Sequence, residues 1–129
     1  MTYDSRAGAV LYAQDKDRLA AFYSAVLGLE IAARDDEHVV LESPGFQLVV
    51  LRSRALASAA PIAVPPVRRA ETAFKPVFFV PSIAAVRASA EAHGGVLNGT
   101  EKEWQFDGWT VCDGLDPEGN VLQFRERAG

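Results

Sequence analysis

Gln123 lies in NVLQFRE (Asn120–Glu126), a stretch that reads as a strand after the Pro- and Gly-punctuated turn DPEGN. Alternate side chains of a strand take opposite faces. Leu122 and Phe124 therefore share one face, and Val121, Gln123 and Arg125 share the other. The same alternation groups Lys75, Val77 and Phe79 in KPVFFV, Gln47, Val49 and Leu51 in FQLVVL, and Gly8, Val10 and Tyr12 in the first strand. Two amides offer donors and acceptors, Tyr12 a hydroxyl and Lys75 a charge, all among apolar neighbours. That is the make-up of a small-molecule site. A buried amide without a partner is costly, so Gln47 and Gln123 should bond each other, water or a ligand. Lys75 has three readings. It snorkels to a rim, pairs with Glu71, or serves as a base or amine nucleophile, which would need burial to lower its pKa.

Trp104, Phe106 and Trp109 fall close together in EKEWQFDGWTVCDG. Three aromatics in a partly polar loop suit a wall or lid against a flat ligand. Trp104 is expected at the mouth of a cavity, and Trp109 in the core of the following strand. Cys112 has Asp113 beside it and no adjacent base, so it reads as a buried, inert thiol. His38 follows the acidic run DDE, and His93 adjoins a glycine helix stop; both read as surface histidines. No serine triad is present, and GGVLNG lacks the lysine of a phosphate-cradling loop.

The elements that must position these groups come in two similar halves. In the first, AVLYAQ is a strand, Asp15 an N-cap, and Leu19, Phe22, Tyr23, Val26 and Leu27 one apolar helix face ended by Gly28. LEIAAR is a strand, and HVVLE and FQLVVL form a hairpin about Pro44-Gly45. The second half repeats the order: KPVFFV, a helix capped by Ser82 and stopped at Gly94-Gly95, then GVLNG, GWTVCDG and NVLQFRE. The spacing from Asp15 to Ser82 equals that from Gly28 to Gly95. The chain thus reads as α+β, a single domain over 1–129 with module one at 7–52, a connector at 53–73 and module two at 74–127. The connector is rich in Ala and Pro, carries one helical turn near Ala55–Ala60, and is long enough to cover distance.

The bulk numbers narrow the function. The 129 residues suit one domain, and a net charge of −4 with no basic run argues against nucleic acid. No apolar run is long enough to span a bilayer, and a single cysteine excludes an internal disulfide framework. A soluble, cytoplasmic protein is the default reading.

Two consecutive βαβββ modules resemble the vicinal oxygen chelate superfamily, which contains glyoxalase I, bleomycin resistance proteins and extradiol dioxygenases. DKDRLAAFYSAVLGLE looks like the superfamily's first helix and DPEGNVLQF like its last turn and strand, and the resemblance runs from Ala9 to Glu126. It implies a curled mixed sheet around a central cavity, with a divalent metal held at inner strand positions. Carried over residue by residue, those positions are Gly8, Gln47, Lys75 and Gln123. Glycine offers no ligand, an amide is a poor one, and an ammonium repels a cation.

The reading is therefore a metal-independent small-molecule-binding protein of the bleomycin-resistance kind, sequestering an aromatic or amide-bearing ligand. The expected contacts are Tyr12, Gln47, Lys75, Phe79, Trp104, Gln123 and Arg125, with no metal, no cofactor and no assigned catalytic residue. The alternatives are a metal-dependent lyase or dioxygenase of the glyoxalase kind, and a metal-free enzyme using Lys75. An open curled sheet exposes an edge and an apolar face, so a homodimer with shared cavities is also expected.

Overall fold

The computed structural model describes residues 4–57 and 60–129. The chain divides into two compact units, residues 1–62 and 63–129.

In the first unit, Asp15 is extended and its carboxylate accepts from the Arg18 amide, opening helix α1 (Lys16–Leu27). Gly28 closes the helix in the left-handed region, at φ 66. The helix follows strand β1 (Ser5–Ala13) and precedes β2 (Glu30–Arg34), β3 (His38–Ser43) and β4 (Gly45–Arg52). These strands form one sheet in the order β1-β4-β3-β2, with β1 parallel to β4. Leu19, Phe22, Val39, Leu41 and Val50 are buried where α1 covers the sheet. Each such side chain contributes about 1.5–3 kcal/mol by leaving water. On the opposite face, Val10 and Tyr12 stay exposed, as the alternation along β1 requires.

Short helix α2 (Arg54–Ala57) follows β4. The helical turn expected at Ala55–Ala60 starts one residue earlier, and its positions 58 and 59 lie outside the described residues. The first unit holds this end of the connector, because the Gln14 side-chain amide donates to the Ala60 carbonyl at 3.1 Å.

The second unit contains β5 (Val77–Phe79), α3 (Ile83–Ala92), β6 (Val96–Leu97), a 3-10 turn (Thr100–Lys102), β7 (Trp104–Phe106), β8 (Trp109–Leu115) and β9 (Val121–Arg127). Ser82 caps α3 by accepting from the Ala85 amide. Glu126 accepts from the Ile83 amide at 2.6 Å, a second acceptor for the orphan donors of that first turn. The left-handed stop is Gly94, at φ 87, so the module spacing is one residue shorter at the helix end than the Gly28–Gly95 comparison gives. The sheet order is β5-β9-β8-β6, with β7 also paired to β8 and β5 parallel to β9. Ile83, Val86, Leu122 and Phe124 form its core beneath α3.

The segment read as an aromatic loop is a hairpin. Asp107 at φ 48 and Gly108 at φ 82 make the two-residue turn between β7 and β8. Positive φ at both positions matches the right-handed twist of the flanking strands. Asp-Gly between alternating residues is a hairpin signal, and the density of charge around it masked the strand.

DPEGN folds on itself. Asp116 is fully buried, and its Oδ1 accepts from the amides of Glu118 and Asn120 while its Oδ2 accepts from the Asn120 side chain. The other end of the connector docks here. The Arg69 amide donates to the Gly119 carbonyl at 3.0 Å, and Arg69 Nε donates to Asn120 Oδ1 at 2.8 Å. No helix among the described residues is long and apolar enough to cross a membrane.

Candidate functional site

Three rows of side chains cross the face of the second sheet opposite α3, and strand pairing alone dictates them. Phe106, Trp109 and Arg127 are in register in one row. Trp104, Val111, Arg125 and Phe79 make the next. Asp113, Gln123 and Val77 make the third. Phe79, Trp104 and Phe106 are exposed here, whereas Phe124, the next residue after Gln123, is fully buried on the other face.

Gln123 is 5% exposed, and its amide is engaged at both ends. Its Nε2 donates to Asp113 Oδ1 at 3.1 Å, and its Oε1 accepts from Arg125 Nε at 2.8 Å. Asp113 Oδ2 in turn takes the Lys75 ammonium at 3.0 Å. The polar groups form one relay: Lys75, Asp113, Gln123, Arg125. Of the readings for Lys75, the pairing one is met by Asp113 in place of Glu71, and Gln123 finds its partners on its own sheet. Lys75 precedes β5, and Gln123 lies in register with Val77, so the two meet only through Asp113.

Arg125 is held on three sides. Its guanidinium carbon lies 5.0 Å from the Phe106 centroid and 5.7 Å from that of Phe79. Arg127 stands 4.0 Å over Trp109, whose ring meets Phe79 edge-on at 4.8 Å. Trp109 therefore belongs to this face and not to the core, since strand β8 begins there and its side chain shares the face of Val111 and Asp113.

A cavity of about 440 Å³ adjoins the relay, lined by Arg68, Thr72, Lys75, Asn98, Asp113 and Val121. The first unit carries Tyr12 and Gln47 on its own open face. Gly8 is in direct register with Gln47, and Tyr12 with Leu51. A side chain at Gly8 would meet the Gln47 carbonyl at 3.0 Å, so the close strand pairing favours glycine there. Glu42, in register with Gln47, brings a carboxylate to this face.

Asp113, Phe106 and Arg127 are the members that strand alternation did not select. The signal for Asp113 was present. Counting outward from Glu118, the middle of the DPEGN turn, Asp113 and Gln123 stand equally far on either side. A hairpin pairs such positions.

The metal implied by the superfamily does not fit these residues. Gly8 has no donor atom, Lys75 brings a cation, and both ends of the Gln123 amide are occupied. No group of three or more His, Cys, Asp or Glu among the described residues could hold a metal ion. His38 pairs with Asp35 at 2.8 Å, and His93 Nδ1 lies 2.8 Å from the Ser89 carbonyl. Backbone amides of Glu37 and His38 hold the Asp35 carboxyl below its ordinary pKa.

Beneath α3, Arg87 reaches Glu103, the Asn98 carbonyl and Cys112 Sγ. Cys112 thus has a cationic neighbour that its sequence surroundings do not reveal. Burial nevertheless pushes its thiol pKa up and outweighs the Arg87 charge, so the sulfur stays protonated and inert.

The glyoxalase-like domain family model matches residues 8–124. Solved structures share the fold at low identity. A glyoxalase/bleomycin resistance protein/dioxygenase family enzyme from Burkholderia phytofirmans PsJN is 20% identical with a TM-score of 0.70, covering 96% of this chain and 99% of its own. The bleomycin resistance determinant encoded on transposon Tn5 is 19% identical with a TM-score of 0.63, covering 96% and 98%. A lactoylglutathione lyase from Agrobacterium tumefaciens is 22% identical with a TM-score of 0.60, covering 92% and 90%. No curated protein matches the chain.

Proposed function

Because the chain belongs to the glyoxalase-like domain family, and the metal positions of that superfamily carry no usable donor set here, we propose that it binds a small aromatic or amide-bearing molecule without a metal. One observation carries this reading: the Gln123 amide is spent within the relay from Lys75 to Arg125, beside exposed rings. A carboxylate at that position would serve a cation; an amide bonded at both ends instead fixes the side chains around it. The metal-dependent lyase reading loses its ligands. The Lys75 enzyme reading is disfavoured because the ammonium is engaged by Asp113.

Purified protein is expected to carry no stoichiometric zinc, nickel, manganese or iron, and to show no thermal shift when these ions are added. Elemental analysis and thermal melts check this. One ion per chain would sink the metal-free reading.

Self-association into a homodimer is part of the same proposal. Val10 and Tyr12 on the first sheet are exposed beyond half their surface. Apolar patches of this kind mark association surfaces. Light scattering at micromolar concentration is expected to give twice the chain mass; a monomer would refute the dimer. The free, buried Cys112 thiol is in keeping with a reducing cytoplasm.

A further inference from the structure

We propose that the relay face of the second unit selects planar organic anions, with an aromatic carboxylate as the ligand class. This rests on the small-molecule reading above and narrows it by charge. The carrying feature is a ladder of rings and guanidinium groups in the order Phe106, Arg125, Phe79, Trp109, Arg127. Strand register sets that order, since Phe79 pairs with Arg125, Trp109 with Arg127, and Phe106 with Trp109.

Neither arginine has a carboxylate partner among the described residues. Asp113, the carboxylate in the next row of this face, is already taken by Lys75 and Gln123. Arg125 spends Nε on Gln123, and its planar group lies against the rings of Phe79 and Phe106. That leaves the Nη edge, two parallel donors in a fixed fork. A carboxylate matches such a fork with two parallel bonds. The neighbouring rings supply an apolar plane for an aromatic body. A cationic ligand would meet two guanidinium groups, and a small inorganic anion would leave the rings unused.

The test is calorimetry on the full chain with three probes at low salt: 2-naphthoate, its neutral analogue 2-naphthamide, and inorganic phosphate. Naphthoate should bind about tenfold or more tighter than naphthamide, the size of one charge-assisted hydrogen bond. Arg125→Gln should bring the affinities of the two probes together. Arg125→Lys, which keeps charge and loses the fork, should retain only part of the preference. If Arg125→Gln does not fold, the lysine variant decides alone, and an undiminished preference in it overturns the fork. Equal binding of naphthoate and naphthamide by the unmodified protein overturns the anion inference and leaves the small-molecule reading standing. Phosphate binding as tight as naphthoate overturns the planar requirement. Binding of none of the probes overturns the site itself.

Discussion

Phe124→Ala is expected to lower the stability of the second unit by about 4 kcal/mol, the usual cost of emptying a large core site. Phe124 is fully buried in β9, between partner strands β5 and β8 and under α3. Its ring centroid lies 6.1 Å from that of Phe78. The cavity left behind is flanked by β5 and β8 and roofed by α3, which places the cost high in the observed range. Phe124→Leu keeps most of the volume and should cost about 1.5 kcal/mol or less. Urea unfolding of both variants makes the measurement. A loss below about 1 kcal/mol for the alanine variant would contradict the packing.

Gly119→Ala is expected to cost about 3 kcal/mol and to release the connector. Gly119 stands at φ +84, where a side chain is strained by about 1–2 kcal/mol. An added Cβ would also lie 2.0 Å from the Val67 carbonyl oxygen, so the two backbones must separate. Separation breaks the Arg69 bonds to Gly119 and Asn120, each contributing about 1 kcal/mol. The expected result is a lower urea midpoint together with faster proteolysis around Arg68 and Arg69. Unchanged stability would mean that the connector does not rest on this turn.

Much of the fold was legible because its signals are local. Asp15 and Ser82 announce helix starts through their own side chains, and both accept the amide three residues on. Gly28 announces a stop because left-handed backbone excludes most other residues. Alternation likewise separated Gln123 and Arg125 from Phe124. What sequence did not disclose depends on register. Asp113 looks like a neighbour of Cys112 until β8 is laid against β9, when it becomes the partner of Gln123. Arg87 is far from Cys112 in the chain, and only the packing of α3 brings its guanidinium to within 3.6 Å of the sulfur. Trp109 read as core because an aromatic in a strand is more often buried than not; its row assignment required knowing where β8 begins.

The parallel pairing of β1 with β4, and of β5 with β9, has a consequence for synthesis on the ribosome. Each unit joins its first strand to its last, so neither sheet closes until its final strand has been made. At ~5–20 residues per second, the stretch from Phe79 to Arg127 takes about 2–10 s to translate. Val77, Phe78 and Phe79 wait through that interval without the strand that pairs with them. The first sheet is complete at Arg52, before any of these three residues has been added. The two similar modules are therefore translated in succession, and the earlier one has all its own strands before the later one offers a competing edge. The vulnerable period falls on the second module, whose waiting strand is short and carries Phe79, a ring of the later ladder.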